Sequence, residues 1–403
     1  MAGARRTLLH NTWFSCRSQI LLLPYIIIVF SLGAVTVILS HLATDVNHTR
    51  SVSVAVAWER AQQIRSIPAL YEEYLAYCQK NNIVLDRKDF PTGHKEERPF
   101  SITNFTFANF HDVNCPSLEE ALLAIKHGTR RWVNSSHETL PPLEREEYPS
   151  YFVPDGCDIP FLSPHHMCQT LNKYSHIIIH GDSLTRHMRK GLLIVLRRDL
   201  VLGGILSKNK YGERNPYNCR CDGQFSEEMM CRQNNDIFFN NFTPRDLGVC
   251  SHLPEFNQFR LMNPNWDLID CSDPNYKGAI YMIQGGAHFE TNATKTLIEL
   301  IDPIFNHPTF RTCLELGKLR VVWVSYGSQS RQLDTQYPLQ TRENAFIFNQ
   351  EMEIELKKRL EDIVIIDWWR LTAEAQTSDG LHSLTDINVM KANHLINILS
   401  YLE

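Results

Sequence analysis

From about residue 157 onward, apolar and polar positions alternate in blocks. Four short runs, Ser175–His180, Ala279–Gln284, Arg320–Ser325 and Ile363–Asp367, are largely apolar and predict strands buried on both faces. Longer stretches near Leu184–Arg198, Thr294–Phe305, Thr341–Leu360 and Asp386–Leu402 read as helices, the last of them amphipathic. This strand–helix alternation predicts an α/β domain over residues 151–403, built on a central parallel sheet with helices on both faces. Residues 206–275 break the rhythm and read as a Cys-rich insertion.

Residues 43–150 read as a stem followed by an N-terminal lumenal segment. Trp58, Ala61 and Ile64, then Tyr71, Tyr74 and Leu75, recur at helical spacing, and Pro68 separates two predicted helices. Gly93–Pro149 is loop-rich, with Pro99–Phe110 as a strand candidate.

The longest apolar run lies earlier. Ile20–Leu42 carries no formal charge, and 23 residues at about 1.5 Å each span roughly 34 Å, enough for a bilayer core of about 30 Å. Arg5, Arg6 and Arg17 precede it, which places residues 1–19 in the cytosol and the rest in a secretory lumen. The expected topology is a single-pass type II protein of the Golgi or another secretory membrane. A cleaved signal peptide is the competing reading, but the run exceeds a usual signal core and an Ala-x-Ala site is missing before Ala43.

Cysteines and sequons agree with that topology. One of the 11 cysteines, Cys16, precedes the span, and the other ten follow it, an even set for up to five disulfides of unread connectivity. N-glycosylation sequons stand at Asn47, Asn104, Asn134, Asn241 and Asn292, all beyond the span. In an oxidising lumen Cys219, Cys221 and Cys231 favour disulfides over zinc. A net charge of -5 without a basic tract gives no footprint for nucleic acid.

The candidate chemistry begins at His176–Met188, "HIIIHGDSLTRHM", where an apolar strand breaks at Gly181 and a helix follows. A serine at that junction, Ser183, sits where helix N–H groups lack partners and the helix dipole favours an anion. A capping residue needs the same place, so the position alone does not make a nucleophile. Asp379 and His382, in "SDGLHSLTD", supply a carboxylate and an imidazole just before the last helix, which Thr385 or Asp386 is placed to cap. "QGGAHF" follows the second strand, with Gly285 and Gly286 allowing backbone to approach a substrate oxygen and His288 available to donate a hydrogen bond.

These three blocks, in this order, resemble the SGNH/GDSL hydrolase superfamily. Gly181-Asp182-Ser183 is similar to its first block and Asp379-Gly380-Leu381-His382 to its last. Gly286-Ala287-His288 departs from the usual Gly-x-Asn, as in the PC-esterase branch that holds the trichome-birefringence-like and neurexophilin-and-PC-esterase-domain proteins. Arg186 completes that branch's Gly-Asp-Ser-x-x-Arg pattern. The resemblance covers roughly residues 155–403 and lacks the plant-type Asp-Cys-x-His-Trp-Cys ending. It implies an SGNH-like three-layer fold, Ser183 as nucleophile, His382 as general base and acid, and Asp379 as the orienting carboxylate. It also implies an oxyanion hole drawn from the Ser183 amide, Gly203 or Gly204, and the Gly286–His288 loop. Arg342 and Asn344 match the branch's Arg-Asn helix as structural residues.

The expected function is lumenal, serine-dependent acyl transfer, with glycan O-acetylation first. Carbohydrate O-acetyl ester hydrolysis is the near alternative, and an inactive glycan- or protein-binding domain is a third. No permanently bound cofactor or metal is required. Acetyl-CoA or another acyl donor would be a co-substrate, and with a single span a separate membrane protein would have to deliver it.

Overall fold

Strand β3 (His176–His180) shows how the core is divided. Its Ile177 and Ile179 side chains enter one hydrophobic cluster, and Ile178 enters another on the opposite face of the sheet. The same alternation repeats in β5 (Ala279–Ile283), β6 (Leu319–Val324) and β7 (Val364–Ile366). Continuous apolar runs therefore arise because nearly every strand position meets a buried layer, Arg320 being the exposed exception in β6. A computed structural model of the chain describes residues 73–80, 111, 113–132, 135–145, 150–204, 219–225, 250, 255–259, 266, 269–328, 338–377 and 380–402. All of these lie within one unit, residues 64–403.

The sheet has five parallel strands in the order β4-β3-β5-β6-β7, with β4 at Glu255–Phe259. The insertion expected at 206–275 thus contributes an edge strand, which pairs with β3 from His176↔Glu255 to His180↔Phe259. After β3 the chain adds β4 on one side, then returns to place β5 on the other. That reversal makes the carboxyl ends of β3 and β5 a topological switch point, where ligands of open α/β sheets bind.

On one face lie α1 (residues 73–80), α2 (Leu118–His127), α3 (Ser183–Arg197) and α5 (Thr385–Tyr401). The other face is covered by the segment Ala293–Phe305, the helix Pro308–Glu315 and α4 (Arg342–Arg359). Ala293–Phe305, expected as one helix, widens to a π turn at Leu297–Ile301 just before Pro303, whose ring cannot donate an N–H. Tyr74 and Cys78 of α1 and Ala121, Ala124 and Ile125 of α2 share a core with the Ser183 helix, so the hydrophobic interior continues across residue 150. A two-stranded antiparallel hairpin, β1 (Thr129–Trp132) with β2 (Ser150–Val153), adds to this N-terminal part. The Pro99–Phe110 strand candidate lies outside the described residues.

Helix α5 is buried from Ile387 to Leu399 and does not present the solvated face expected of it. Two of its asparagines are instead hydrogen-bonded inside. Asn388 Nδ2 donates to the Ser383 and Leu384 carbonyls at 2.6 and 2.9 Å, and Asn397 Nδ2 donates to the Pro160 carbonyl at 2.9 Å. Helices α3 and α5 touch backbone to backbone. A Cβ on Gly191 would lie 2.1 Å from the Asn388 carbonyl oxygen, which explains a glycine in mid-helix despite its cost of about 1 kcal/mol.

Four disulfides occur among the described residues: Cys78–Cys221, Cys115–Cys157, Cys168–Cys250 and Cys271–Cys313. Cys219 is disulfide-bonded as well, so Cys219 and Cys221 serve as covalent staples. This pattern belongs to an oxidising secretory or extracellular environment. Among the described residues no helix is long and apolar enough to cross a membrane; the expected anchor at 20–42 lies outside them.

Candidate active site

Strand β3 ends at His180, and the chain turns through Gly181 and Asp182 into α3. The turn is set by Asp182, whose extended backbone caps the helix while its carboxylate accepts the Leu184 N–H at 2.9 Å. Asp182, and not Ser183, is the cap. Ser183 is left as the first residue of α3, partly exposed, with its own N–H lacking an intrahelical acceptor.

His382 arrives from the far end of the chain. Its loop closes on itself through an antiparallel bridge between Thr377 and Ser383, with the Gly380 N–H donating to Thr377 Oγ1 at 3.0 Å. Asn388 then holds the Ser383 and Leu384 carbonyls from within α5. Helix α5 takes its N-terminal acceptor from elsewhere. Neither Thr385 nor Asp386 caps it; the half-buried Asp222 of the turn Cys221–Phe225 accepts the Thr385 N–H at 3.0 Å. The result is that His382 Nε2 and Ser183 Oγ stand 2.6 Å apart, although 199 residues separate them. That is hydrogen-bond reach between a candidate nucleophile and a candidate base.

No family model, curated protein or solved structure matches this chain. Asp379 and the sequons at Asn47, Asn104, Asn134 and Asn241 lie outside the described residues. Asn292 is exposed and caps the short helix Ala293–Thr296 through its Oδ1.

The glycine amides expected for the oxyanion hole are engaged internally. The Gly203 N–H donates to the Asp199 carbonyl at 2.8 Å, and the Gly204 N–H donates to Gln224 Oε1 at 2.7 Å. Gln224 also donates to the Leu200 and Cys221 carbonyls, which fastens the turn after α3 to the Cys221–Phe225 segment. Neither amide is offered to Ser183 in this geometry. Gly286 has φ +140, and an added Cβ would lie 2.9 Å from the Tyr326 ring, so this glycine answers core packing as well as loop shape.

His288 and Arg186 do lie in the electrical neighbourhood of the Asp182-Ser183 turn. His288 is exposed on the short turn Ala287–Phe289 after β5, and Arg186 is half-buried one helical turn beyond Ser183. Burial pushes the Asp182 carboxyl above its ordinary range, opposed by the Leu184 N–H and by His288, His382 and Arg186. Farther off, Asn344 caps locally by donating to the Leu339 carbonyl, and Thr341 caps α4. The neighbouring Asn349 clamps the Tyr326 backbone through both its N–H and its carbonyl.

Three residues about the site carry no local sequence signal. Asp222 caps the helix behind His382, Asn388 fixes the loop that bears His382, and His187 lies against His382 itself, with ring centroids 4.5 Å apart.

Proposed function

We propose that this chain is a lumenal serine-dependent acyltransferase of SGNH type whose acceptors are glycan hydroxyls. The observation that carries the reading is the 2.6 Å contact between Ser183 Oγ and His382 Nε2 at the switch point of a parallel sheet. Ser183 Oγ attacks the acyl carbonyl as His382 Nε2 takes its proton. The negative charge that develops lies near the amino end of α3, whose dipole and first N–H groups stabilise an anion. His382 then protonates the leaving group, and a Ser183 acyl ester remains. In the second half His382 deprotonates an incoming sugar hydroxyl, which takes the acyl group and frees the serine. Asp379 would orient His382, on the resemblance to SGNH proteins.

An acetyl thioester or a comparable activated acyl compound is the donor class, and a type II anchor at residues 20–42 would place the site in the Golgi lumen. Ester hydrolysis is the second reading, favoured by the partial exposure of Ser183, which admits water to the acyl ester. The test is full-length protein beside Ser183→Ala, given labelled acetyl-CoA and a mixed glycan panel. Serine-dependent label in glycan establishes transfer. Serine-dependent release of acetate from pre-acetylated glycans, without transfer, assigns an esterase. Serine-independence in both assays removes the acyl-transfer reading.

A further inference from the structure

Helix α3 presents two functional-looking side chains on one face. Ser183 begins the helix, and His187, four residues on, lies one turn behind it. His187 is 1% exposed, so its ring has no role on the surface. One side of it meets His382, with ring centroids 4.5 Å apart and planes tilted by 36°. Phe225 contacts it at 5.5 Å, and Lys190 Nζ in turn sits 5.9 Å from the Phe225 ring. Phe225 belongs to the same turn as Asp222, which caps the helix behind His382. The imidazole of His382 is therefore bounded by Ser183 at its Nε2 and by a buried aromatic pair that one helix and one disulfide-anchored turn supply.

We propose that His187 is a positioning residue for acyl transfer: with Phe225 behind it, its ring backs the His382 imidazole and keeps Nε2 aimed at Ser183 Oγ. The inference rests on the acyl-transfer reading of Ser183 and His382. An imidazole joined to its backbone by two rotatable bonds can swing out of line when one face is left empty. A small misplacement of a reacting group is enough to cost about 100-fold in rate. Because the His187 ring is buried against His382 and Phe225, its loss should fall on kcat and leave KM alone.

The experiment uses the full chain with its disulfides formed and p-nitrophenyl acetate as the acyl probe. His187→Ala, His187→Phe, His187→Leu and Ser183→Ala are compared for kcat, KM and thermal unfolding. Expected are a fall of about 10–100-fold in kcat for His187→Ala with KM within about two-fold, and recovery to within about three-fold of wild type in His187→Phe. A wild-type kcat in His187→Ala, or a His187→Phe as slow as His187→Ala, overturns the proposal. Should His187→Ala not fold, the comparison passes to the two space-filling variants. Phe faster than Leu supports a ring-specific role, and equal rates overturn it. Ser183→Ala separates the two failures: if it keeps activity, the acyl-transfer reading itself is wrong. If it is dead while the His187 variants are normal, only this inference falls.

Discussion

Gly191→Ala would drive a methyl group into the backbone of the neighbouring helix. The new Cβ would lie 2.1 Å from the Asn388 carbonyl oxygen and 2.5 Å from its carbonyl carbon. Ordinary contact begins near 3.4 Å, so α3 and α5 must separate by about 1 Å. No side chain can rotate away, because the obstacle is backbone. Alanine returns about 1 kcal/mol of helix propensity, while overpacking costs about 1–3 kcal/mol, leaving a net loss of up to about 2 kcal/mol. Under the proposed acyl transfer the larger effect falls on chemistry. Asn388 holds the Ser383 and Leu384 carbonyls beside His382, so moving it pulls His382 from the 2.6 Å contact with Ser183. Stretching that bond by about 1 Å ends it, and turnover should drop about 100-fold. The assay is p-nitrophenyl acetate turnover beside thermal unfolding, with Tm lowered by only a few degrees. A Gly191→Ala protein with wild-type turnover and Tm would refute the claim that helix contact sets the site.

Three further outcomes are expected. His394 is fully buried in α5, and burial pulls its imidazole down to about 3, below the unfolded value of about 6.5. Between those values the unfolded chain binds the extra proton, so stability is full above pH 6.5 and falls by about 1.4 kcal/mol per pH unit on acidification. Urea unfolding at pH 6.5 and pH 5 should differ by about 2 kcal/mol more in wild type than in His394→Leu. Asp222→Ala removes the acceptor of the Thr385 N–H and should cost about 1 kcal/mol, with a disproportionate loss of turnover because the base's helix loses its cap. Cys78→Ser opens a bridge spanning 143 residues and should lower stability by about 2–4 kcal/mol in chemical denaturation.

The strands of the sheet were legible because each is an apolar run between turn residues; Ser175–His180 was expected and His176–His180 is found. The Asp-Ser turn was legible because cap and helix start lie next to each other in sequence. β4 was not, since a short edge strand among cysteines and polar residues carries little hydrophobic signal and is held by backbone bonds to β3. The π turn at Leu297–Ile301 has the same apolar spacing as a plain helix. Asp222, Asn388 and His187 were invisible for another reason. Each acquires its meaning only when a distant segment is brought to it, and no local spacing encodes that meeting. The glycines at 203 and 204 show the same limit: the resemblance offered their amides to an oxyanion, and only the folded chain shows Gln224, twenty residues on, accepting the Gly204 N–H.

The Cys78–Cys221 bridge has a consequence for how the molecule is made. It encloses the Cys115–Cys157 pair and overlaps the Cys168–Cys250 pair. In an oxidising compartment Cys78 meets Cys115, Cys157, Cys168 and Cys219, which all precede Cys221 in the chain, before its proper partner. Thiolate exchange at those earlier cysteines produces mixed pairings that must be undone. Yield is then governed by how much disulfide isomerase the secretory compartment supplies. Because Cys221 adjoins Asp222, a mispaired chain is also one in which the helix after His382 loses the support of its Asp222 acceptor.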